Sequence, residues 1–191
     1  MSNAEETAWV EASALRLVVR SDDYLARARA ALGADGPTLV ERPLAGNLHV
    51  TLVLDLPSSL RSVDGRHLEA LKLTADQAFE LAAKNTLAVL PPVSESAKPV
   101  QRGRIGHVSG NVYEVGRVAI HSEWAGLAAA QGGTLLIALP TTDVVLYLAD
   151  ASPAAISALR KLAEQFRSKA SNSMSSAVLR WAKDRWELVE P

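Results

Sequence analysis

Apolar and polar positions along the chain alternate with two different periods, and the changes of period mark out the elements. Leu15-Arg16-Leu17-Val18-Val19 is a compact branched and leucine-rich run, which predicts a short strand. Ser21-Asp22-Asp23 follows. A short polar side chain there can accept the free amides of a first turn, so a helix is expected over 24–32 with Gly33 as its stop. Strands are expected over 39–43 and 48–56, separated by Ala45-Gly46-Asn47. In the second, His49, Thr51 and Asp55 share one parity and Leu48, Val50, Leu52, Leu54 and Leu56 the other, the signature of a half-buried strand. Thr74-Ala75-Asp76-Gln77 has the form of a reciprocal helix cap, and the helix should run to about Leu90, where Pro91-Pro92 stop it. At 100° per residue Ala78, Phe79, Ala82 and Val89 form its apolar face. Asn85 falls on that side and breaks the pattern.

The second half reads as strands in adjacent pairs with helices inserted. Residues 104–109 and 112–115 suggest a hairpin around Gly110-Asn111, and 118–130 a helix closed by Gly132-Gly133. Residues 134–139 and 143–149 form the clearest hairpin, nearly all apolar and therefore central. Ser152-Pro153 is a cap with proline at the first helical position. Ile156, Leu159, Ala163, Phe166 and Ala170 then recur at helical spacing. A last hairpin joins 177–181 to 186–189. The expected class is α+β, a mixed or mainly antiparallel sheet with helices packed on it. A single domain over 5–191 is expected, with a linker or mobile loop near 92–104. Ser2-Asn3-Ala4 resembles a tag-cleavage scar, so residues 1–4 are left out of the fold.

Composition removes several chemistries. The chain of 191 residues has no cysteine, hence no disulfide, no thiolate nucleophile and no Cys-based zinc or iron–sulfur site. It is 48% hydrophobic but only 5% aromatic, with 32 Ala and 27 Leu, which favours helices and closely packed cores. Apolar runs are far shorter than the roughly 20 residues of a membrane helix, and no signal peptide is visible, so a cytoplasmic location without membrane contact is expected. Net charge is −1, but residues 1–60 carry −3 and residues 151–191 carry +3. A tail of +3 without stacking aromatics or a motif does not support nucleic-acid binding.

The candidate chemistry is sparse. His121-Ser122-Glu123 has the H-x-E of zinc deaminases, but that chemistry needs a downstream cysteine pair. Four histidines without H-E-x-x-H spacing give no metal motif, and neither a metal nor a cofactor is expected. The glycines of 103–110 flank a strand and lead to another strand, so they do not make a phosphate loop. Asp55, at the end of a strand, and Asp143, at the start of one, could share acid–base work if they converge. Alternatively each accepts backbone amides at a turn. Asn85, an amide on an apolar face, should be hydrogen-bonded, anchoring a loop such as 55–63 or facing a ligand. Trp181 and Trp186 either pack across the last hairpin or form a contact surface.

Asp55-Leu56-Pro57, Leu60-Arg61-Ser62-Val63, Ala83-Lys84-Asn85-Thr86-Leu87 and the run Leu135 to Asp143 together resemble the YtpQ-like bacterial family, a domain of unknown function. The resemblance covers roughly residue 48 to the C-terminus. It draws attention to Asp55, Arg61, Asn85, Pro140 and Asp143, although Thr142 stands where the family carries an arginine. It implies architecture and location rather than an activity. The leading expectation is a non-catalytic cytoplasmic binding or protein-interaction domain, with a protein partner or a second copy as possible occupants. The binding candidates are Asp55, Arg61, Asn85, His121 and Asp143. The alternatives are a hydrolase using Asp55, Asp143 and His121, and an immunity or antitoxin-like protein.

Overall fold

The computed structural model describes residues 11–33 and 36–190, so the expected tag remnant lies outside the described residues. The fold is α+β and its named strands pair antiparallel in two sheets. In the first sheet β1 (Leu15–Ser21) and β2 (Glu41–Ala45) flank β3 (Leu48–Leu56). Strand β4 (Ser59–Ser62) continues along the β2 side of β3, pairing Val53 with Ser62 just beyond the pairing of Thr51 with Glu41. The second sheet has the order β5-β7-β6-β8-β9, from Ile105–Val108, Val144–Leu148, Leu136–Thr141, Val178–Trp181 and Trp186–Leu188.

Local capping sets the helices. Helix α1 (Asp22–Leu32) begins where Ser21 accepts the Tyr24 amide and ends at Gly33, as expected. Helix α2 (Gly65–Leu71) lies in a stretch the hydrophobic pattern leaves unassigned. Helix α3 (Ala75–Ala88) carries both halves of the Thr74–Gln77 cap. It buries Ala78, Phe79, Ala82 and Thr86 against the first sheet, whereas Val89 lies past the helix end and is exposed. The segment expected as a linker begins with a short helix, α4 (Val93–Ser96). Val93 and Ala97 there join the core, and the Lys98 carbonyl accepts the Tyr147 hydroxyl at 2.9 Å.

The hairpin expected over 104–115 does not form. Residue 106 faces Tyr147, where a Cβ would lie 2.3 Å from the ring, so a glycine there lets β5 lie against β7. Asn111 turns the chain by accepting the Tyr113 amide on its side chain, and Gly116 then passes against Leu17, where a Cβ would stand 2.0 Å from the carbonyl oxygen. The expected helix over 118–130 is correspondingly broken into two short 3-10 turns, Gly116–Ala119 and His121–Trp124, before α5 (Ala125–Ala130).

Strand β6 is buried on both faces, which makes the central hairpin as central as its composition implies. Leu135, Ile137 and Leu139 face a core shared with Val19 and Leu48 of the first sheet and with Trp124 and Leu127. Leu136 and Ala138 face α6 (Pro153–Lys169), which buries Leu159 and Ala163 there. Phe166, expected on the buried stripe, is 41% exposed because only the first half of that stripe reaches the sheet. Strand β3 is likewise covered on both faces at its centre, with Thr51 and Val53 buried, so the strict alternation of its sequence understates its burial.

Candidate binding cleft

The five residues singled out by sequence do not form one site. Asp55 lies 3.7 Å from the Arg16 guanidinium and accepts the Tyr113 hydroxyl. Burial first, then that hydrogen bond and the Asp55 charge, hold the Tyr113 phenol above its ordinary range. Asp143 accepts Thr141 Oγ1 at 2.8 Å and Asn172 Nδ2 at 2.9 Å, clasping the β6–β7 turn to the chain that follows α6. His121 stacks flat on Trp181, with centroids 5.1 Å apart and planes 4° apart, and meets the edge of Trp186. These are three separate sets of partners.

Asn85 is an anchor, though for a segment other than 55–63. Its Nδ2 donates to the carbonyls of Ala12 and Leu15, at 2.9 and 3.2 Å. Thr86, which sequence reasoning passed over, accepts the Leu17 amide on Oγ1 at 2.9 Å. Strand β1 is an edge of its sheet, so these two side chains of α3 satisfy backbone groups that have no neighbouring strand. Trp181 and Trp186 oppose each other across the last hairpin, and Trp186 donates to the Val118 carbonyl at 2.8 Å. They pack rather than present a surface.

Arg61 leads elsewhere. It stands on the rim of a cleft of about 420 Å³ between α1 and the start of α2. Ala28, Ala31 and Leu32 supply one wall, and Pro37 and Leu39 extend the apolar lining. Ser62, Asp64, Arg66 and His67 supply the polar side. Arg61 sits on the edge strand β4, where it pairs with Leu54, next to Ser62 and Asp64 of the same lining. The exposed Arg61 makes no hydrogen bond or ion pair with the described residues.

Local chemistry builds the polar side. Asp64 caps α2, its carboxylate accepting the amides of Arg66 and His67 at 2.9 and 3.3 Å. Arg66 returns to it with Nη2 at 2.7 Å, and His67 Nδ1 lies 2.9 Å from Oδ1 and 3.2 Å from the Asp64 amide. Burial by itself would raise the Asp64 carboxyl, but the hydrogen bonds from Arg66 and His67 and the nearby His67 charge outweigh it and hold Asp64 below the usual carboxylate range. Asp64 is 4% and His67 8% exposed, and both line the cleft. Asp64-x-x-His67 has the spacing of a reciprocal cap, the one signal that could have exposed it. Its partners across the cleft come from α1 and from Leu39, which bridges to Asp64.

A second charged cluster went unread. Arg117 is fully buried, donating to Glu114, to the Pro91 carbonyl and lying 6.0 Å over the Trp124 ring. Burial raises the Glu114 carboxyl above its usual range in spite of Arg117. Among the described residues no group of three or more His, Asp or Glu is arranged to hold a metal ion. No described helix is long and apolar enough to cross a membrane. Comparisons with protein-family models, curated proteins and solved structures return no match to this chain.

Proposed function

We propose that the protein is a non-catalytic cytoplasmic binding domain and that the cleft between α1 and α2 is its ligand seat. One observation carries this: a concave surface with an apolar wall and a preorganised Asp64–Arg66–His67 cluster, the combination that small-molecule pockets use for burial and orientation. The rival hydrolase would need Asp55, Asp143 and His121 at one substrate atom. Their separate partners, Tyr113, Asn172 and Trp181, favour roles in the fold for all three. The likeness to the YtpQ-like family enters here on the same footing, as a proposed membership; of the residues it draws attention to, Arg61 lines the seat.

The test is native mass spectrometry of the full chain purified from its own host, beside an Ala28→Trp variant whose indole fills the cleft. A small-molecule adduct on the wild-type chain that is lost in the variant is expected. An adduct retained equally by both, or a stoichiometric protein partner in place of any small molecule, would move the site off the cleft.

A further inference from the structure

A second cavity, of about 360 Å³, lies between the α4 segment and α5, and from it we infer a further binding site, one that takes a primary amine on an apolar body. It shares no lining residue with the α1–α2 cleft. Val93 and Leu127 line it and belong at the same time to the central core, so its two walls are set by the packing of the fold. Pro99 and Ala130 extend the apolar lining, and the volume admits a body the size of a phenyl ring. Gly126 stands in the α5 wall. A Cβ there would meet nothing within 4 Å, although a glycine within a helix is less stable than an alanine. No packing contact calls for the glycine, and what it leaves open is the cavity.

The polar lining sets the charge of the ligand. Glu123, on the 3-10 turn before α5, is the one charged side chain of the lining, together with the hydroxyls of Ser94 and Ser122. None of these three side chains makes a hydrogen bond or ion pair with a described residue, so the fold does not use them. Glu95 and Lys98 of the α4 segment lie outside the lining, and Lys98 Nζ donates to the Ser94 carbonyl at 2.6 Å. An ammonium has three N–H donors and no acceptor, which suits a carboxylate and two hydroxyls that can all accept. A carboxylate ligand would meet Glu123 as a like charge, and a neutral one would leave it without a counter-charge.

Isothermal titration of the full chain with benzylamine, benzyl alcohol and benzoate tests the site and the class. Benzylamine is expected to bind about tenfold or more tighter than benzyl alcohol, the scale of one charge-assisted hydrogen bond, and benzoate more weakly than either. Glu123→Gln keeps the shape of the side chain and removes its charge, and is expected to cost benzylamine roughly tenfold while leaving benzyl alcohol unchanged. Gly126→Leu fills the cavity from a position with free space around it and exchanges glycine for a better helix former. That variant is expected to melt no lower than the wild-type chain and to lose benzylamine and benzyl alcohol alike. Equal binding of benzylamine and benzyl alcohol, or benzylamine binding indifferent to Glu123→Gln, would overturn the amine class. Benzylamine binding kept in full by a folded Gly126→Leu chain, or no binding of benzylamine to the wild-type chain, would overturn the site.

Discussion

Two acid–base pairs of the same spacing sit in different surroundings, and they behave in opposite ways. Glu114–Arg117 and Asp64–His67 are both three residues apart. The first is sealed against the Pro91 carbonyl and Trp124, where Arg117 is 0% exposed and burial outweighs the guanidinium enough to raise the Glu114 carboxyl. The second lines an open cleft, where hydrogen bonds from Arg66 and His67 outweigh burial and lower the Asp64 carboxyl. Spacing alone does not decide what a pair does. A buried carboxylate with one cation beside it is raised by the loss of its water, whereas one that also accepts several hydrogen bonds is held ionised.

The largest expected effect breaks the sealed pair. Arg117→Met leaves Glu114 buried without its cation and should lower stability by about 3–5 kcal/mol in urea unfolding. A loss below about 1 kcal/mol would mean that water already reaches Glu114. Adding Glu114→Gln to that variant should restore much of the loss, because the uncompensated charge is gone. Thr86→Val, next in size, removes the acceptor of the buried Leu17 amide and should destabilise by about 1–3 kcal/mol. Asn85→Leu should lower the melting temperature by less, since its two acceptors lie at a partly buried edge, and an unchanged value would contradict the anchoring role.

At the open pair, Asp64→Asn should cost about 1 kcal/mol at neutral pH through the weakened cap. It should also change the acid limb. A carboxyl held below its unfolded value contributes stability that is present above the unfolded pKa and lost as pH falls through the folded one. Urea unfolding between about pH 6 and about pH 3 should therefore fall more steeply in the wild-type chain than in Asp64→Asn. Parallel profiles would show that Asp64 titrates alike in the folded and unfolded chains. Arg61→Gln, the smallest, should change stability by less than about 0.5 kcal/mol, because the exposed side chain makes no bond to the described residues.

What could be read from the sequence followed how local each cause is. Ser21, Thr74 with Gln77, and Ser152 with Pro153 act within one turn, and the helices start where those residues place them. The central hairpin declared itself because β6 and β7 are apolar on both parities. The region around 104–124 has the local pattern of a hairpin and a helix and forms neither in full, because Gly106 answers to Tyr147 and Gly116 to Leu17, neither of them near in sequence. The site divides the same way. Asn85 betrayed itself as an amide on an apolar face, but Thr86 beside it suits either face and gave no sign. Asp64, Arg66 and His67 carried only the spacing of a cap, and what makes them more than a cap is α1 across the cleft. Arg61 was singled out by the family resemblance and stands on that rim.

Residue-resolved amide shift mapping of the full chain, with and without the small molecule released from the host-purified protein, tests the cleft most directly. The largest changes are expected at Ser62, Arg66 and His67 and along the Ala28–Ala31–Leu32 face of α1, the two sides of one concavity. Changes centred on Asp143 and Asn172, or on Asp55 and Tyr113, would contradict the assignment of the cleft as the seat.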